Sequence, residues 1–451
     1  MNTGVTAGEV EDLLARTTWP GATGGCAGVG ELAERFAATG FAPGSVVLVA
    51  LPNGTRLIRV FFALVLAGLV PTLLAASTPA ARLRATARRL GAAGLVRAAS
   101  TGTDQVTLTH LADGPLRTHR PGQAILLTSG TSGMATGCLH DITALRRNAS
   151  RHAASIGLRR EDRMLVTLPM HYSYALVAQV LAGLVTGASL VVTGPPFTPA
   201  GYRDVVAAHD VTVSALTPLL VADLQADDGR LPAGLRVLGV GGHALDPART
   251  TRLLADNPRL ELYLTYGLTE AGPRVSTLAA HRERPSRYAS AGTPLDGVRL
   301  GVRDVGRGPD QQEVLVTADT VYRAKVGVGE GVSRGKLVGP DTIATGDVGR
   351  LDDDGYLWLS GRISDFAIVR GDKVSLSSVR KAAEGLDGVL RAVVTPPANE
   401  HAGALGLAVY VDETRALSEQ DVRRTLYPLL TPNERPGELT VHPVAAGSLH
   451  K

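Results

Sequence analysis

The chain has 451 residues, of which 44% are hydrophobic, 20% charged and 4% aromatic, and its 46 basic and 42 acidic residues leave a net charge of +4. This is the make-up of a folded globular protein and excludes collagenous, coiled-coil and wholly disordered chains; no run of like charges makes the basic stripe that nucleic acid needs, and aromatics are too few for stacking platforms. Two cysteines, Cys26 and Cys138, make neither a disulfide framework nor a zinc site, and the N-terminus carries acids where a signal peptide needs a basic flank, so a cytoplasmic setting is expected.

In chain order, the spacing of apolar residues predicts a helix over 30–36, a strand over 45–50 and a helix over 56–68. The most apolar stretch, 57–74, is broken by Arg59, Gly68 and Pro71, so it reads as a buried helix running into a strand and not as a membrane span. The alternation resumes with a strand over 124–127, a helix over 141–156, a strand over 163–168, a helix over 174–186 and a strand over 189–192. Such alternation predicts parallel-rich sheets covered by helices, with ligands beyond the carboxyl ends of strands. After residue 280 short strands at 299–305, 313–317 and 356–359 sit between Gly-rich turns, and predict a β-rich subdomain over about 281–362. The last segment has strands at 367–369, 390–394 and 407–411 with helices at 377–385 and 421–430. The fold class is α/β, with a large N-terminal domain over 1–362 and a small α+β domain over 363–451.

Three stretches carry polar chemistry. In Ala124–Gly137 an apolar strand enters a loop of glycines and hydroxyl residues, from which a helix is expected to follow; Thr128, Ser129, Gly130, Thr131, Ser132 and Gly133 could wrap phosphate oxygens or form a plain surface loop. It is not a Walker loop, because the Gly-Lys-Ser/Thr ending is absent. In Leu262–Glu270 a second apolar strand ends in Tyr266, Gly267, Thr269 and Glu270, where the last two are either hard oxygen ligands of the kind Mg²⁺ uses or a helix cap. In the third, Asp347 follows Thr345-Gly346 and precedes Gly361-Arg362; it reads as an acceptor for ribose hydroxyls or as a turn residue. Gly239-Val240-Gly241-Gly242 lacks the spacing of a dinucleotide fingerprint.

Taken in order, these motifs resemble those of the adenylate-forming superfamily, which includes acyl-CoA synthetases, nonribosomal-peptide adenylation domains and firefly luciferase. The family's phosphate loop is similar to Thr128–Gly137, its Tyr-Gly-x-Thr-Glu to Tyr266–Glu270, its Thr-Gly-Asp to Thr345–Asp347 and its Gly-Arg-x-x-Asp to Gly361–Asp365. The resemblance implies ATP and Mg²⁺ as cofactors, and a C-terminal domain that rotates between acyl-adenylate formation and transfer to coenzyme A or a carrier-protein thiol. It places Thr128 to Gly133 on phosphates, Glu270 on Mg²⁺ with Thr269 nearby, Asp347 and Arg362 on the ribose and Tyr266 along the adenine.

Two lysines of the family pattern are missing. Ala135-Thr136 replaces Pro-Lys in the loop, and the tail reads Gly447-Ser448-Leu449-His450-Lys451, with Ser448 where a lysine would bridge carboxylate and α-phosphate. Lys451 is the catalytic candidate left in the tail, and it serves only if the tail shifts register. The five lysines, Lys325, Lys336, Lys373, Lys381 and Lys451, all lie in the final third, so none is expected to replace the missing pair from the large domain; Arg146 and Arg147 are the alternatives, with a solvated helix face as their ordinary reading. Ser364 stands at the hinge position, followed by Asp365, and Lys373 is either near a thiol tunnel or simply exposed.

No acid occurs between Met164 and Arg203, where amino-acid-activating relatives hold the substrate ammonium, so an aryl or alkyl acid is expected in place of a free α-amino acid. By analogy with aryl-acid ligases, His171, Tyr172, Tyr174 and His243 are the pocket candidates, each with an ordinary core role as the alternative. The expected activity is an acid–thiol ligase; the competing expectation is a degenerate homologue acting as a partner subunit or on a preactivated acyl compound.

Overall fold

A computed structural model describes residues 3–20, 27–99, 105–111, 116–128, 136–306, 310–328, 331–333, 335–363, 366–369, 372–397, 403–415 and 417–444. The chain divides into two compact units: the larger holds 1–303, 314–345 and 350–358, and the smaller holds 304–313, 346–349 and everything from 359.

The larger unit is built on two eight-stranded sheets. In one, Ser189–Val192, Arg163–Val166, Val213–Leu216, Val237–Gly241 and Glu261–Tyr266 run parallel, and Ser276–Ala279 and Thr293–Pro294 close the edge antiparallel. In the other, Val46–Ala50, Val70–Leu74, Ala92–Ala98 and Gln123–Thr128 are parallel, and the remaining strands are antiparallel. The strand Val46–Ala50 is buried at every position, as expected where both faces are covered. Helices Val29–Ala37, Thr55–Leu66 and Ile142–Ser155 pack into one core with Val47 and Val49 of one sheet and Val166, Val192 and Val213 of the other. Among the described residues, no helix is long and apolar enough to cross a membrane.

The loop after Thr128 does not lead into a helix: Gln123–Thr128 turns back as the antiparallel strand Thr136–Asp141, with Thr128 opposite Thr136, and the helix starts only at Ile142. The described chain therefore resumes at Thr136 as a strand and not as a helix N-terminus. The region after 320 also supplies a strand that the spacing did not predict, Ala324–Val328, which pairs with Thr136–Asp141 and sets Lys325 opposite Cys138. The helix Ala7–Ala15, with its Thr6–Glu9 capping box, was likewise unanticipated.

The predicted helix over 174–186 is continuous but not uniform, because its middle, Leu176–Leu181, is π-helical, a local form often found at functional sites. The smaller unit has its own core around Val379, Ala383, Val409, Val422 and Leu426. Its sheet pairs Val389–Thr395 with Gly406–Asp412, and Glu438–Val444 adds a third strand absent from the sequence expectation.

Candidate active site

The strand Glu261–Tyr266 ends at Gly267, and Thr269–Ala271 forms a single tight turn that buries Glu270 to 8% exposure. The capping alternative for Thr269 does not hold, since the turn has no side-chain cap and the Thr269 hydroxyl lies 2.9 Å from Ser173 Oγ instead. His140 Nε2 donates to the Thr269 carbonyl at 2.9 Å and the Tyr322 N–H donates to the Glu270 carbonyl at 3.0 Å. Three separate elements thus fix this turn. Burial drives the His140 ring down to about 4, so it is neutral at neutral pH and able to keep that donor role.

The residue that sequence reasoning missed is Lys325. Its Nζ lies 2.9 Å from Glu270 Oε1, 3.3 Å from Thr128 Oγ1 and 3.3 Å from Cys138 Sγ, with both ion-pair side chains almost wholly buried. A large-domain lysine therefore stands at the foot of the phosphate-type loop, contrary to expectation. Burial would raise the Glu270 carboxyl, but Lys325 and then Lys336 outweigh it and hold it below the ordinary carboxylate range. Burial would likewise discharge Lys325, and the ionised Glu270 beside it more than offsets this. Cys138, buried, is pushed up to about 12 and stays a thiol.

Thr128 also contacts Thr136 Oγ1 at 3.0 Å, which ties the two ends of the hairpin together. Ser129, Gly130, Thr131, Ser132 and Gly133 lie outside the described residues, as do Ser364, Asp365, Ser448 and Lys451. The arginine alternatives are committed elsewhere: Arg146 pairs with Glu9 at 2.6 Å and Arg147 with Asp319 at 3.0 Å.

In the smaller unit Asp347 is 5% exposed, and its Oδ1 accepts from Arg362 Nε at 2.8 Å. The sequence pairing of these two residues is thus a direct contact. Of the pocket candidates, Tyr174 is buried, with its OH 3.5 Å from Thr265 Oγ1 and the Arg274 guanidinium over its ring at 4.3 Å. Burial lowers the half-buried His171, whose ring lies 4.3 Å from that of Tyr172. Tyr172 is 55% exposed and His243 is also exposed, so neither joins the buried group around Tyr174. Tyr266 closes its strand half-buried.

Among the described residues no three His, Cys, Asp or Glu side chains converge as a metal cage. Mg²⁺ does not require one, because a single carboxylate completed by substrate phosphates suffices. Glu270, buried and held ionised at the end of a parallel strand, fits that requirement.

Residues 27–314 match the family model described as AMP-binding enzyme. The chain is 30% identical over 396 residues to the sulfoacetate–CoA ligase of Cupriavidus necator, covering 80% of this chain and 77% of that one. It is 26% identical over 309 residues to the long-chain fatty-acid–CoA ligase FadD13 of Mycobacterium tuberculosis, with 66% of this chain matched against only 59% of that protein's length. Its fold is similar to that of o-succinylbenzoate CoA synthetase from Bacillus subtilis at 19% identity. The TM-score is 0.79 for the complex with the acyl-adenylate intermediate, covering 95% and 94% of the two chains, and 0.78 for the complex with ATP and magnesium ion, covering 95% of each. With a family match over residues 27–314 and a relative 30% identical across most of both chains, this chain belongs to the AMP-binding enzyme family, the adenylate-forming superfamily that its motifs resemble.

Proposed function

We propose that the protein uses Mg-ATP to activate an aryl or alkyl carboxylic acid, other than a free α-amino acid, and passes the acyl group to a thiol. In the first step a carboxylate oxygen attacks the α-phosphorus; the bond to the β-phosphate breaks, and acyl-AMP and pyrophosphate result. In the second a thiolate attacks the acyl carbon and AMP departs. The relatives named for CoA ligation support coenzyme A as the acceptor, with a carrier-protein thiol as the alternative.

The observation that carries this reading is the buried, ionised Glu270 paired with Lys325, which also donates to Thr128 at the foot of the hydroxyl-rich loop. A pure scaffold gains nothing from burying such a pair, since breaking even is the usual outcome of a buried ion pair. Glu270 would hold Mg²⁺, which when bound neutralises charge building on the phosphates. Lys325 offers a fixed ammonium beside Thr128, where the loop itself has Ala135-Thr136 in place of a lysine. Thr128 to Gly133 would take phosphate oxygens, Asp347 and Arg362 the ribose, and Tyr266 the adenine face. Ser173 would orient Thr269, and Lys451 would supply the tail cation.

The test is acid-dependent pyrophosphate release across a carboxylate panel, beside Glu270→Gln. Release with at least one acid, falling a hundredfold or more in the variant, is expected; no release with any acid leaves the degenerate homologue, which the absent loop and tail lysines favour.

A further inference from the structure

We propose that the acid pocket carries a second anion site, built on Arg274, and that the substrate is a short acid with an additional carboxylate or sulfonate. This rests on the ligase reading above.

Arg274 is 4% exposed. It lies at the carboxyl ends of the parallel strands Val237–Gly241 and Glu261–Tyr266, the place where open α/β sheets receive ligands. Its Nη1 donates to Thr265 Oγ1 at 2.9 Å, its guanidinium stacks on Tyr174, and its Nε has no hydrogen-bond partner. Among the described residues no carboxylate lies within ion-pair distance of it. The contrast within the same chain is sharp: Arg146, Arg203, Arg236 and Arg287, each with a side chain less than a quarter exposed, all face Asp or Glu.

A buried guanidinium with five donors and one side-chain acceptor is an unbalanced charge, and such groups persist where a ligand balances them. A Cβ at Gly241 would meet Thr265 Oγ1 at 2.6 Å and the guanidinium Nη1 at 3.2 Å, and one at Gly267 would meet the Pro273 carbonyl at 1.8 Å and Nη2 at 2.8 Å, so the guanidinium packs against backbone that carries no side chain. Its distance from the reaction is also bounded by the chain: Tyr174, on which it stacks, follows Ser173, which bonds Thr269 beside Glu270. A cation held there, stacked on the Tyr174 ring, favours an acid that carries a second negative charge over one that does not. It also repels an ammonium, in line with the exclusion of free amino acids.

The experiment measures binding of sulfoacetate, malonate, propionate and butyrate by calorimetry with Mg-ATP present, and pyrophosphate release with each, for the wild type and Arg274→Met. The wild type is expected to favour the dianions at least tenfold in kcat/KM. Arg274→Met is expected to lose that factor on the dianions while keeping or gaining turnover of propionate and butyrate, which a merely structural role would lower together. If Arg274→Met fails to fold, the wild-type preference and Arg274→Lys decide. Turnover of propionate and butyrate as efficient as that of the dianions overturns the anion site and leaves the ligase reading standing. Dianion binding lost in Arg274→Met, with no pyrophosphate from any acid, supports the anion site and overturns the ligase reading. No binding of any acid overturns both.

Discussion

Lys325 Nζ sits 2.9 Å from Glu270 Oε1, joining two residues 55 positions apart in a place where both side chains are nearly shut off from water. The pair is supported by Thr128 and Cys138 on one side and by the His140-fixed turn on the other. Removing one partner leaves a buried, uncompensated charge, which typically costs about 3–5 kcal/mol. Lys325→Met is therefore expected to lower the unfolding midpoint in urea and to raise the Glu270 carboxyl toward or above its ordinary range. Lys325→Met combined with Glu270→Gln is expected to recover most of the stability and none of the activity. A double variant as unstable as Lys325→Met alone would show that the two charges are not coupled.

The position of the missing loop lysine gives a second test. Thr128 Oγ1 is within 3.0 Å of Thr136 Oγ1 and 3.3 Å of Lys325 Nζ, so a lysine at 136 would put a second ammonium next to the first. In the wild-type background Thr136→Lys is expected to destabilise through like-charge repulsion and to give no gain in pyrophosphate release. In a Lys325→Met background the same change is expected to restore part of the lost rate, at least tenfold. Equal effects in both backgrounds would mean that Lys325 does not supply the charge the loop lacks.

What the sequence made legible follows from which signals are local. The helix at Thr55–Leu66 and the strand at Val46–Ala50 were readable because their apolar residues fall at the spacing the element itself demands. The strand Thr136–Asp141 was not, because it is buried on both faces and so shows no alternation, and its residues TGCLHD carry little β character. Glu270, Asp347 and Arg362 were singled out by motif order alone. Lys325 lies in a Gly-rich stretch that reads as a loop, and only pairing with a strand nearly 190 residues earlier brings it to Glu270. The scarcity of lysine was a usable signal, since one lysine between Ala324 and Val326 in a chain of five invites a reason. Nothing local distinguishes Arg274 from the chain's many surface arginines, because its burial depends on Tyr174, Gly241 and Thr265.

Acid should destabilise the fold in a definable window. His140 and His152 are buried and driven down from 6.5 to about 4 and about 3, so the native state holds both rings neutral where the unfolded chain protonates them. Their contribution is complete above about pH 6.5 and is lost as pH falls toward 4, amounting to roughly 3 kcal/mol for His140 alone. Carboxylates held low, such as Glu270, lose their contribution only below their unfolded value of 4.5, so the range from 6.5 to 4.5 reports the histidines. Urea midpoints at pH 7.5 and 5 are expected to fall steeply for the wild type and less for His140→Gln, whose amide can still donate to Thr269. Identical slopes would remove His140 as the cause.

The Asp347–Arg362 contact separates binding from stability. Asp347 is buried but Arg362 has a side chain 57% exposed, and a pair with one solvated partner contributes about 0–1 kcal/mol. Arg362→Ala is therefore expected to leave the melting temperature within about 2 °C, since a change of that size moves a large domain little. If these residues hold the ribose, the same change should raise KM for ATP at least tenfold, because charge-assisted hydrogen bonds to a ligand are stronger than neutral ones. Asp347→Asn, which keeps the shape and removes the charge, should do the same while KM for the acid stays within twofold. A shift in the acid KM with ATP affinity unchanged would place the pair away from the nucleotide, and a large loss of stability would make it a structural bridge.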